Sequence, residues 1–144
     1  MLRACACLPS VLLASGCSPG DDTRGARVAP PETIVVDGRT VDVASLTEAV
    51  AGLCQARREA ATDARVAKST YDRRSHHAID TITQLLQPSY APLAGSIRRA
   101  AERVQGDAAT EPVESSLADD LGRLTEFTRE GLARLGVTTR ACQA

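Results

Sequence analysis

Between Gly52 and Pro88 the chain contains neither glycine nor proline. Its apolar residues there return at steps of three and four, a pattern that commits the stretch to helix. One helix of that length is too long for a domain of this size, so a break is expected at Thr62-Asp63. Thr62 is placed to cap, and Asp63 sits near the positive helix end. A first helix is predicted over 45–60. It opens on the capping box Ser45-Leu46-Thr47-Glu48 and carries Leu46, Ala49, Val50, Leu53, Ala56 and Ala60 on one face. A second is predicted over 63–87, with a stripe of Ala64, Ala67, Tyr71, Ser75, Ala78, Ile82 and Leu85, and Pro88 ends it.

Two more helices follow. The third is expected over 90–105, burying Leu93, Ile97, Ala100, Ala101 and Val104 and closing at Gly106-Asp107. The fourth is expected over 112–135, with Pro112 in the first turn, where its missing N–H costs nothing. Val113, Leu117, Leu121, Leu124, Thr128, Leu132 and Leu135 mark its apolar face, and Gly136 caps it. Four helices with short connections imply an up-down bundle. Ahead of them, the β-branched runs of residues 33–43 flank Asp37-Gly38, the pair favoured where both turn residues need positive φ. The fold expected is mainly α: a four-helix bundle preceded by a short β-hairpin.

Composition narrows the function classes. The formal net charge is −1, which argues against a nucleic-acid binder. Tyr71, Tyr90 and Phe127 are the only aromatics, so stacking surfaces and aromatic-lined pockets are poorly served. There is no phosphate-cradling glycine loop and no motif for a cofactor. An enzyme would need a nucleophile with its base and orienting group, or a convergent acid pair. Neither is visible, and the chain reads as a non-enzyme.

The N-terminus carries an address. Arg3 is followed by an uncharged run from Ala4 to Leu13, then Ala14-Ser15-Gly16-Cys17. The run of about ten residues fits a secretory signal and falls short of the roughly 20 of a membrane helix. This order resembles the signal of bacterial lipoproteins: a basic start, an apolar segment, small residues, then a cysteine that accepts a diacylglyceryl group. Pro9 interrupts the apolar segment, and Ala14 stands where the family usually has leucine. Ala14-x-Gly16 would equally suit an ordinary secretory cleavage, which leaves a secreted protein as the alternative. The resemblance implies residues 1–16 as signal peptide and Cys17 as the lipidated residue, with palmitate among its acyl chains. It also implies an anchored protein on the extracytoplasmic face of the cell membrane. Residues 17–31, with three prolines and no apolar period, read as a tether whose ends lie roughly 20 Å apart. Residues 32–144 form the single helical domain.

Cysteine parity bears on the same point. Cleavage before Cys17 discards Cys5 and Cys7, lipidation occupies Cys17, and Cys54 and Cys142 remain as a pair. They are expected to form a disulfide joining the first helix to the tail beyond the fourth. The other reading is two buried free thiols.

Both histidines lie in Tyr71-Asp72-Arg73-Arg74-Ser75-His76-His77-Ala78-Ile79-Asp80. On one continuous helix Asp72, His76 and Asp80 are spaced i, i+4, i+8 and share an edge. Imidazole and carboxylates so placed are a weak candidate site for a divalent metal. The plainer reading is a solvated edge that pairs with Arg73 and Arg74. The segment resembles a helix of small lipoproteins in high-GC Gram-positive bacteria, where an aromatic–Asp–Arg stretch leads into a His-x-x-x-His pair between two distant cysteines. Tyr71, Arg73, His76, Cys54 and Cys142 fit it, and Asp80 replaces the second histidine. Arg57-Arg58, Arg73-Arg74 and Arg98-Arg99 put adjacent cations on helix surfaces, offset by nearby acids. The function expected is a lipid-anchored, extracytoplasmic helical binding or interaction module, with an envelope protein as a partner. The alternative is a metal-handling protein using His76 with Asp72 or Asp80.

Overall fold

The computed structural model describes residues 32–109 and 116–142. The expected signal, Cys17, the tether and the start of the fourth helix at Pro112 lie outside the described residues. The chain begins with a hairpin of β1 (Thr33–Val36) and β2 (Arg39–Asp42), paired antiparallel with Val36 opposite Arg39. Asp37 and Gly38 both take positive φ, 49° and 76°, which makes a two-residue type I′ turn matched to strand twist. Ile34 and Val41 face each other and pack on the helical core, while Val35 points to solvent. That apolar face keeps an otherwise marginal two-stranded ribbon folded.

Five helices follow: α1 (Val43–Ala60), α2 (Ala64–Arg74), α3 (His76–Leu86), α4 (Ala91–Ala109) and α5 (Leu117–Arg134). α1 packs on α2 and α5, α3 on α4, and α4 on α5, so the helices close into a bundle. Leu46, Val50, Leu53, Ile82, Leu86, Ile97, Val104, Leu121, Leu124 and Leu132 fill its core.

The second predicted helix is two helices. Ser75 interrupts it with φ −126° and ψ −40°. The cause is tertiary: Ser75 is buried, its hydroxyl donates to the Ala49 carbonyl at 2.8 Å, and α1 presses close at Gly52. The break also turns the stripe. Ile79 and Leu86 join Ile82 and Leu85 inside, and Ala78 is only half-buried.

The boundaries move for local reasons. α1 starts at Val43 because Asp42, not Ser45, is the cap: its carboxylate accepts from the N–H of Ala44 at 3.3 Å and of Ser45 at 2.8 Å. Asp63, not Thr62, caps α2 through the N–H groups of Arg65 and Val66, and Thr62 donates its hydroxyl to the Glu59 carbonyl. α4 runs through Gly106 and Asp107 to Ala109. α5 starts at Leu117 and ends at Arg134, one residue short of the expected Leu135, and Gly136, φ 78°, closes it as expected. There Val137 N–H reaches the Leu132 carbonyl at 2.8 Å and Gly136 N–H the Ala133 carbonyl at 3.1 Å, a Schellman closure. Val137 is buried, and the tail then runs back to α1, where Cys142 is disulfide-bonded to Cys54 with Cα atoms 5.6 Å apart. Closing a loop of 88 residues is worth about 4–5 kcal/mol on chain-entropy grounds, before native strain is subtracted.

Candidate functional site

α3 and α4 lie side by side, and an open groove of about 930 Å³ runs between them. Two polar rungs cross it. At one end His76 Nε2 and Gln105 Nε2 are 3.0 Å apart; at the other Arg98 donates to Gln87 Oε1 at 3.3 Å. His76 and Gln87 are separated by roughly 16 Å of helix at 1.5 Å per residue. Between the rungs Asp80 and Thr83 line the α3 side and Glu102 the α4 side, over a floor of Ile79 and Ala101. Arg39, from the hairpin, adds a cation to the wall. Neither Glu102 nor Arg39 makes a hydrogen bond or ion pair among the described residues.

The break at Ser75 makes His76 the first residue of α3. Its ring lies 5.8 Å from that of Tyr71, tilted by 49°. Where the Gln105 amide donates, His76 Nε2 is bare and the ring proton sits on Nδ1; with the amide reversed, Nε2–H donates to its oxygen. Tyr71 is buried, and its hydroxyl makes no hydrogen bond of regular geometry. Desolvation pushes that hydroxyl up to about 12; the nearby Gln105 amide pulls it back a little, while Asp80 and Asp72 add to the rise.

Of the three expected metal ligands, the structure brings two together. His76 Nε2 lies 3.9 Å from Asp80 Oδ2 on α3. Asp72 belongs to α2, on the other side of the break, and is paired with Lys68. Among the described residues no group of three His, Cys, Asp or Glu side chains is placed to hold a metal ion. Arg73 and Arg74 do not pair with that edge. Arg74 reaches Glu48 and Gln55 on α1, and Arg73 caps back on the Ser69 carbonyl at 3.1 Å.

The carboxyl of Glu59 is held below its usual range, first by the nearby Thr70 hydroxyl and next by Gln55. Desolvation opposes them, and Arg73 and Arg58 add smaller pulls.

No protein family, curated protein or solved structure matches this chain. No helix among the described residues is long and apolar enough to cross a membrane.

The groove itself escaped sequence reasoning, although one of its sides was readable. Arg98, Glu102 and Gln105 stand at i, i+4 and i+7, a polar edge beside the buried stripe of α4. Arg39 gave no such signal, because its place depends on how the hairpin packs. Chemically the groove offers both signs of charge, an amide and an imidazole above an apolar floor. That suits a small ligand carrying a cationic and an anionic group.

Proposed function

We propose that this chain is a lipid-anchored helical binding module on the extracytoplasmic face of the cell membrane, with the α3–α4 groove as its ligand seat. The observation that carries the anchor is the Cys54–Cys142 disulfide. With Cys5 and Cys7 removed in a signal peptide, that bridge accounts for every later cysteine except Cys17. A disulfide also suits an oxidising compartment. Two groove charges, Glu102 and Arg39, have no partner among the described residues and support the binding role.

The test is intact mass and detergent phase partitioning of the mature protein, with palmitate labelling. A chain beginning at Cys17, heavier by a diacylglyceryl group and partitioning with detergent, supports the reading. An unmodified chain from Cys17 in the aqueous phase sinks it and leaves a secreted protein. Metal handling stands as a second reading because His76 and Asp80 remain neighbours. Titration with copper and zinc, compared in His76→Ala, decides it.

A further inference from the structure

The bridge between Cys54 and Cys142 opens to solvent. Cys54 is buried on α1, Cys142 is exposed on the tail, and both line a depression of about 310 Å³ with Arg57, Arg58 and Thr125. Among the described residues no acidic side chain lines it. Arg57 and Arg58 follow Cys54 by three and four residues, the spacing that places side chains over one helix face. Neither guanidinium makes a hydrogen bond or ion pair among the described residues; Arg58 adds only a minor pull on Glu59. Arg57 lies along α5 at Gly122, where a Cβ would come within 3.2 Å of its Cζ. Cys142 itself has φ 70°, a left-handed conformation that is strained for a residue with a Cβ.

We propose that this disulfide is an exchange site for an anionic small thiol, with Arg57 and Arg58 as its positioning residues. The incoming thiolate attacks Sγ of Cys142, the exposed residue of the pair. A new S–S bond forms there, the Cys54–Cys142 bond breaks, and its electron pair stays on Cys54 Sγ as a thiolate. The count of disulfides is unchanged by this step. A second thiolate then attacks the sulfur of the bound small thiol. That releases the small-molecule disulfide and leaves Cys142 as a thiolate, so two electrons pass from the thiol reagent to the protein. Neighbouring cations lower a thiol's pKa, and a sulfur of lower pKa leaves faster. The same two cations raise the local concentration of an anionic attacker and not of a cationic one. Release of the tail also removes the constraint that holds Cys142 at positive φ. This inference concerns a different face from the groove and stands whatever the groove binds.

The experiment uses the full chain with Cys5, Cys7 and Cys17 replaced by serine, so that only the bridge sulfurs react. Adduct formation is followed by acid quench and intact mass, with glutathione as the anionic thiol and cysteamine as the cationic one, at matched thiolate concentration. Peptide mapping places the adduct, and circular dichroism checks that the Arg57→Gln/Arg58→Gln variant stays folded. The expected result is an adduct on Cys142 and a glutathione rate about tenfold lower in the variant. The cysteamine rate should fall by about threefold or less, because it loses only the leaving-group effect. Equal glutathione rates in both proteins, an equal loss for the two thiols, or an adduct on Cys54 would each overturn the proposal.

Discussion

Gly52 and Ser75 meet where α1 passes the break between α2 and α3: a Cβ on Gly52 would lie 2.5 Å from Ser75 Oγ and 2.8 Å from Arg74 Cβ. The hydroxyl cannot simply swing aside, because it donates to the Ala49 carbonyl one turn earlier on α1. Alanine is the better helix former by about 1 kcal/mol, but overpacking at such a contact costs about 1–3 kcal/mol. Gly52→Ala is therefore expected to destabilise the fold by up to about 2 kcal/mol net, read as a lower urea midpoint. A gain in stability would show that α1 and the break separate freely.

The start of α1 gives a second test, because two residues compete for the cap. Asp42 accepts from two backbone N–H groups, whereas the Ser45 hydroxyl donates to the Asp42 carbonyl at 2.8 Å and caps nothing. Asp42→Ala should cost about 1 kcal/mol. Ser45→Ala should cost about 0.5 kcal/mol or less, since its hydrogen bond is exposed. Thermal unfolding of the two variants checks the ranking, and the reverse order would return the cap to Ser45.

These two positions show what was legible in the sequence and what was not. Helical spacing found the buried Leu46, Ala49, Val50, Leu53 and Ala56 of α1 and Leu117, Leu121, Leu124, Thr128 and Leu132 of α5, because a buried stripe repeats at a 3.6-residue period; it missed Cys54, Asp120 and Thr125, which widen those faces. The hairpin was legible because Asp37-Gly38 suits a turn that requires two positive φ values. The break at Ser75 was hidden: serine is no helix breaker, and the distortion follows from its contact with Ala49 on α1, 26 residues earlier in the chain. The candidate site was legible only in part for the same reason. His76 and Asp80 were placed on one edge from spacing, and they share it. Asp72 was lost because the edge was drawn along a helix that does not continue. Gln105 and Arg39, which complete the groove, come from elements brought together by tertiary packing.

Asp120 ties α5 to α4. It is almost fully buried in the first turn of α5, accepts from Arg103 Nε at 3.0 Å, and has Arg123 at 3.8 Å. Its charge also suits the positive end of that helix. Asp120→Ala is expected to destabilise by about 1–2 kcal/mol. The figure stays modest because Arg103 is exposed and regains water when its partner goes. Arg103→Ala should cost less than about 1 kcal/mol, because Arg123 stays beside the buried carboxylate. A double-mutant cycle on urea unfolding gives the coupling, and a coupling near zero would mean that Asp120 acts through the helix end alone.

Tyr71 provides the pH test. Its hydroxyl is buried without a regular hydrogen bond, and desolvation raises it to about 12 in the folded chain, against about 10 when unfolded. A raised folded value favours the protonated form, so its contribution is intact below pH 10. The contribution is lost as pH rises from about 10 to about 12, because only the unfolded chain releases the proton in that window. The loss should be on the order of 2 kcal/mol across the window. Tyr71→Phe removes both the titration and an unpartnered buried hydroxyl. At pH 8 the variant is expected to be as stable as the parent or up to about 1 kcal/mol more stable. Its stability should then fall less steeply between pH 10 and 12. Urea unfolding at pH 8, 10 and 11.5 separates the terms. A large loss in Tyr71→Phe at pH 8 would show that the hydroxyl has a partner worth keeping, with the Gln105 amide the first to examine.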